Sequence, residues 1–183
     1  MTVLHLLVQM MRVFGERGHT NPDVTEPACE PGKLEETTLL RAAQFLHHEL
    51  PIRFAHRVLE LQSLPHGLGE TPSVRKVCEW YRTSFQEIKS TPVPHDKYSE
   101  AAFTRLLEDI YLRHMPTLVT MARGVLEFRR HLGVGPGDTL PGGIEGVISS
   151  FLDNFYSSRI GIRTLIGAFV PSSRRCDCIS SVP

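Results

Sequence analysis

The stretch Tyr98–Leu132, YSEAAFTRLLEDIYLRHMPTLVTMARGVLEFRRHL, decides the fold of this chain. Phe103, Leu107, Ile110, Leu118, Met121, Val125, Phe128 and Leu132 recur at spacings of three, four and seven. An α-helix brings such positions onto one face. The pattern predicts a single helix of about 50 Å, at roughly 1.5 Å per residue, packed along a seam against other helices. One member of the seam is polar. His114 stands seven residues after Leu107 and seven before Met121, so it points into the same interface. Two residues on, Pro116 has no N–H for the carbonyl of Leu112, which predicts a kink. A buried histidine beside a kink is an unexpected choice for a helix that only packs.

The flanking segments supply its partners. Leu34 to about Leu64 reads as helix with a bend at Pro51, and Phe54, Val58 and Leu61 carry its apolar face. Pro72 opens the next helix at its first turn. That helix, Ser73 to Lys89, buries Val74, Val77, Cys78, Tyr81, Phe85 and Ile88. LGVGPGDTLPGG is a Gly/Pro break, and Ile144 to about Ile166 forms the last helix on Ile148, Leu152, Phe155, Ile162 and Ile166. No stretch alternates with period two. The expected class is all-α, an antiparallel four-helix bundle spanning residues 34–167. Residues 1–33 precede it as a short amphipathic helix, Met1 to Gly15, and a loop broken by Pro22, Pro27 and Pro31. From Ala168 to Pro183 the periodicity is lost, and a disordered tail is expected there.

Composition narrows the function. With 20 basic and 20 acidic side chains the formal net charge is zero, so nothing favours nucleic acid or an anionic membrane as a partner. No apolar run reaches the length of a membrane span. Cys29, Cys78, Cys176 and Cys178 have neither zinc-site spacing nor the look of a disulfide framework, which points to a reducing compartment. His47, His48 and Glu49 are adjacent, but there is no HExxH, and no metal site is expected; a solvated helix face explains them. There is no P-loop, GxGxxG, nucleophile elbow or HRD motif.

The polar residues that intrude on the seams carry the functional signal: Tyr81 and Ser84, His114, and Arg159 with Arg163. The two arginines lie four apart and project from one helix face. Buried charge must be paired or hold a ligand. One reading is a satisfied structural network, with Arg159 on Asp109 or Asp153 and His114 capped by Tyr81. The other is a small anion pocket, with two arginines as carboxylate partners and His114 as a further donor.

Four ordered blocks resemble the N-terminal domain of the mitochondrial 2-oxo acid dehydrogenase kinases: FLHHELPIRFAHRVLEL from Phe45, LPHGLGETPSVRKVCEWYRTSFQEI from Leu64, RH with TMARGVLEF between Arg113 and Phe128, and SFLDNFYSSRIGIRTLI from Ser150. The NFYSSRIGIR segment is more similar to pyruvate dehydrogenase kinase than to the branched-chain type. The resemblance covers residues 40 to 167 and implies a four-helix regulatory bundle. In the family an ATP-binding domain follows it, supplies the Mg-ATP site, and phosphorylates serines of the decarboxylase subunit. The resemblance ends at Gly167, so the expectation is a regulatory domain without kinase activity of its own and without a cofactor in this chain. The alternatives are a non-catalytic protein competing for the lipoyl domain, or a sensor of small oxo acids.

The resemblance also assigns roles. His114 matches the family histidine that partners a catalytic glutamate, which is absent from this sequence. Phe54, Tyr81, Ser84, Tyr111, His114, Arg159 and Arg163 match a pocket for pyruvate-like anions. Leu6, Met11, Phe14 and Phe45 match a hydrophobic pocket for the lipoyl group. The implied partner is the lipoyl domain of the dihydrolipoyl acyltransferase core of the pyruvate dehydrogenase complex, and the implied location is the mitochondrial matrix.

Overall fold

The computed structural model describes residues 31–135, 138, 140 and 143–179, with side chains between residues 36 and 170. Among them the chain is all-α: α1 (Pro31–Gln62), a 3-10 turn (Pro65–Glu70), α2 (Pro72–Ser90), α3 (Lys97–Arg113), α4 (Thr117–His131) and α5 (Ile144–Ile179). The expected N-terminal helix, with Leu6, Met11 and Phe14, lies outside the described residues. Helix α1 packs on α2, α5 and α3; α2 packs on α4; and α3 packs on α5.

Local chemistry sets the helix boundaries. The backbone N–H of Ser99 donates to the Asp96 carboxylate at 2.7 Å, and the backbone N–H of Asp96 donates to the Ser99 hydroxyl at 3.0 Å. This reciprocal box caps α3 and satisfies donors that the first turn leaves free. The Ser99 hydroxyl and then the Ser99 backbone N–H, both donating to the Asp96 carboxylate, hold it below the usual carboxylate range. Pro72 opens α2 as expected. The turn between α1 and α2 carries His66 and Gly67 at φ of 59° and 84°. Close packing of α4 on the start of α2 requires Gly124, where a Cβ would fall 2.6 Å from Cγ2 of Val74.

Three expectations change. The long helix is broken rather than kinked. His114 and Pro116 take ψ near zero, 0° and 7°, and α4 starts afresh at Thr117. Across the break the buried position shifts from the apolar Leu118, which is 46% exposed, to Thr117, which is fully buried. Leu132, the last member of the expected seam, lies outside the core as well. Secondly, helix begins at Pro31, inside the expected loop, and runs on through Pro51 to Gln62. Thirdly, α5 continues past Gly167 to Ile179, and Phe169 is wholly buried, so the core extends beyond the point where periodicity was expected to end.

The core runs through Leu46, Leu50, Phe54, Val77, Tyr81, Phe103, Leu107, Ile110, Met121, Phe128, Phe155 and Ile162. Buried aromatic rings of α1, α2 and α5 meet at its centre, and His114 joins them from the end of α3.

Candidate functional site

The break at Pro116 places His114. In an unbroken helix the carbonyl of residue 114 would accept from the N–H of residue 118. Here it accepts from the Thr117 N–H at 3.3 Å and the Thr117 hydroxyl at 2.8 Å. It also accepts from Arg159 Nη2, which reaches over from α5 at 3.0 Å and extends to the Met115 carbonyl at 3.4 Å. The expected carboxylate partners of Arg159, Asp109 or Asp153, are not the groups that bind it. A cation against the open carbonyls of a helix C-terminus is favourable on its own account.

The imidazole of His114 lies among rings. Its centroid is 4.4 Å from that of Tyr81, and it stacks on Phe54 at 5.7 Å with an interplanar angle of 10°. Tyr81 meets Phe155 edge-on at 5.9 Å. Nε2 of His114 is 3.0 Å from the Ser84 hydroxyl. That hydroxyl donates to the Trp80 carbonyl at 2.8 Å and accepts from Arg113 Nη1 at 3.1 Å. Arg113 is itself held in a two-pronged pair with Glu87, at 2.6 and 2.7 Å. The polar partner of His114 is therefore Ser84, and Tyr81 contributes ring contact.

Burial and surrounding positive charge set the electrostatics. Burial, then Arg113, Arg159 and Arg163, push His114 down to about 3, so it is neutral at physiological pH. Burial pushes the Tyr81 phenol up to about 12, against the opposing pull of Arg159, Arg57 and Arg163. Burial and the proximity of Arg163 lower Arg159. Arg163 lies 3.9 Å above the Tyr111 ring, a cation–π contact.

The seven residues expected at an anion pocket, Phe54, Tyr81, Ser84, Tyr111, His114, Arg159 and Arg163, thus form one linked neighbourhood. Hydrogen-bonding atoms without a partner concentrate there. Among the described residues the buried, unpartnered side-chain atoms are His114 Nδ1, Arg159 Nε, Arg163 Nη1 and Arg57 Nη1. No carboxylate pairs with Arg159 or Arg163 among the described residues. Unpaired buried guanidinium N–H groups carry a cost that a bound anion would remove, whereas Nδ1 of the neutral imidazole is an acceptor.

Arg57 is the residue the sequence reading passed over. It is buried, lies three residues after Phe54 on the same face of α1, and pairs with Glu60 through Nη2 at 2.5 Å. The signal was the i, i+3 spacing from Phe54, masked by an adjacent glutamate that makes it look like an ordinary surface pair.

Other candidates settle differently. Phe45 is half-buried against the core. His47 is 2.8 Å from the Thr91 carbonyl and His48 is exposed; no cluster of His, Cys, Asp or Glu among the described residues could hold a metal. A separate groove of about 400 Å³ is lined by Leu61, Gln62, Gly69, Cys78 and two ion pairs, Arg75–Glu70 and Arg82–Glu79. It shares no residue with the Tyr81 neighbourhood, its charges satisfy one another, and burial raises the Cys78 thiol pKa.

Residues 24–175 match a family model described as mitochondrial branched-chain alpha-ketoacid dehydrogenase kinase. The chain belongs to the mitochondrial 2-oxo acid dehydrogenase kinase family. A [pyruvate dehydrogenase (acetyl-transferring)] kinase of Arabidopsis thaliana is 44% identical over 138 residues, which is 75% of this chain and 36% of that protein. Isozyme 1 of the Homo sapiens enzyme is 39% identical over 127 residues, 67% of this chain and 27% of the relative. Isozyme 3 of Mus musculus is 38% identical over 124 residues. The chain therefore spans about a third of the length of these relatives, over the region that forms the family's helical regulatory domain. No described helix is long and apolar enough to cross a membrane.

Proposed function

We propose that this chain is the regulatory part of a mitochondrial kinase of the pyruvate dehydrogenase complex, and that its Tyr81–His114–Arg159 neighbourhood takes a small carboxylate of the pyruvate type. The names of the relatives support the complex and the mitochondrial setting. The observation that carries the ligand is the set of buried, unpartnered N–H groups on Arg159, Arg163 and Arg57, with no carboxylate pairing Arg159 or Arg163 among the described residues. A carboxylate supplies two acceptor oxygens of the right charge. His114 is neutral there and gives its one N–H, at Nε2, to the Ser84 hydroxyl, so its part is to wall the pocket with its ring. On this reading the chain holds the lipoyl domain of the acyltransferase core through Phe45 and the residues before it. Serine phosphorylation belongs to the whole kinase, and these residues alone do not perform it.

The test is ligand-induced stabilisation of the full chain. Pyruvate at 100 times its dissociation constant adds about 2.7 kcal/mol. In a domain of this size that raises the melting temperature by roughly 5–10 °C. Arg163→Met should abolish the shift while leaving the Arg159 contacts to the His114 and Met115 carbonyls in place. Arg159→Met should abolish it too, and should also lower the baseline stability. If the wild type ignores pyruvate while Arg159→Met is destabilised, the arginine is only a cap on the broken helix.

A further inference from the structure

The charge around Tyr81 exceeds what one carboxylate neutralises. Arg113 is paired with Glu87 through both of its terminal nitrogens, and Arg57 is paired with Glu60 through one. Arg159 and Arg163 have no ion-pair partner among the described residues, so two positive charges remain uncompensated. The unpartnered N–H groups also come from two helices that pack on each other: Arg57 from α1, Arg159 and Arg163 from α5. Arg57 and Arg159 are each more than nine-tenths buried. Phe54 ties Arg57 to the site, since it precedes Arg57 by less than one turn and stacks on the His114 ring.

Resting on the carboxylate reading above, we propose that Arg57 is a third anion-binding guanidinium of this pocket, and that the pocket prefers small acids carrying two carboxylates to those carrying one. One carboxylate of such a ligand faces the α5 pair, and the second takes the free Nη1 of Arg57. Glu60 competes for Arg57. Its side chain is 39% exposed and holds Nη2 at 2.5 Å, so it leaves Arg57 half-engaged. Burial raises the Tyr81 phenol, and Arg159, Arg57 and Arg163 all pull it back down. A monoanion leaves one positive charge and the Arg57 N–H buried without a partner, which is the costly arrangement.

Acetate and malonate are suitable probes, because they differ by one carboxylate. Calorimetry on the full chain should give malonate an affinity at least about tenfold higher than that of acetate, the worth of one charge-assisted contact. Arg57→Met should bring the two acids to within about twofold by weakening malonate alone. Glu60→Gln, at a half-exposed position, removes the competing charge and should widen the preference. A purely structural role for Arg57 would not move the two variants in opposite directions. If Arg57→Met fails to fold, Glu60→Gln decides, and an unchanged preference there overturns the proposal. Binding of acetate in the wild type with a ratio untouched by either variant also overturns it and leaves the carboxylate reading standing. Binding of neither acid sinks both.

Discussion

Acidification tests the burial of His114 directly. Its imidazole is 6% exposed, lies between the rings of Phe54 and Tyr81, and has three guanidiniums nearby. Its ordinary value of 6.5 falls to about 3 in the folded chain. Below pH 6.5 the unfolded chain therefore binds a proton that the folded chain refuses. With more protons on the unfolded side, stability must fall as pH falls, across the window from 6.5 down to about 3. Each pH unit inside that window costs about 1.4 kcal/mol. Between pH 7 and pH 5 the loss from this one residue comes to about 2 kcal/mol, a large part of a typical domain's stability. The other titratable groups contribute equally to a matched variant. His114→Gln is that variant, because a neutral amide can still meet the Ser84 hydroxyl. Urea unfolding at both pH values gives the comparison. The wild type should lose about 2 kcal/mol more than the variant, whatever the variant's own starting stability. Equal losses would mean that the imidazole ionises freely in the folded chain, and the description of His114 as a sealed, neutral ring would be wrong.

Two further outcomes follow from packing. Gly124→Ala should destabilise, because the new methyl would meet Cγ2 of Val74 at 2.6 Å and Oγ1 of Thr71 at 3.3 Å; overpacking costs about 1–3 kcal/mol against a helix-propensity gain of up to about 1. A lower urea midpoint with unchanged slope checks this. Phe45→Ala should shrink the affinity difference between a lipoylated domain and its unlipoylated form, measured by calorimetry; if the two forms bind the wild type alike, Phe45 does not face a lipoyl group.

Sequence periodicity exposed the helices because buried apolar faces repeat every three or four residues, and it exposed Arg159 and His114 because they interrupt those faces. It hid the break at Pro116 for the same reason. His114, Met121 and Phe128 keep a seven-residue spacing across the interruption and are all buried, so the two helices imitate one. Only the exposure of Leu118 and burial of Thr117 betray the local change of phase. The sequence from Ala168 on reads as aperiodic, yet Phe169 continues the Ile162–Leu165–Ile166 stripe and is buried with it. Arg57 was invisible because its neighbour Glu60 gives it the pattern of a solvated pair, and only tertiary packing reveals the free nitrogen on its other side. Ser84 was legible as a polar intrusion, and its bond to the Trp80 carbonyl lies within α2, but its bonds to His114 and Arg113 depend on where α2 and α3 meet.

The broken helix and the candidate pocket are parts of one arrangement. Interrupting the helix frees the carbonyls of His114 and Met115, and these are the groups that bring Arg159 into the core. A carboxylate in place of those carbonyls would pair Arg159 as an ion and leave no charge for a ligand. Two neutral carbonyls hold Nη2, while Nε remains without a partner. The backbone thus fixes the guanidinium without neutralising it. Ser84 and Glu87 treat Arg113 differently: Glu87 cancels its charge, and the cation is used up in fixing the hydroxyl that meets His114. Neighbouring arginines therefore have opposite parts, set by whether the acceptor is a carboxylate or a carbonyl. That distinction leaves positive charge on the α5 side of the cluster, where Arg159 and Arg163 stand four residues apart on one face.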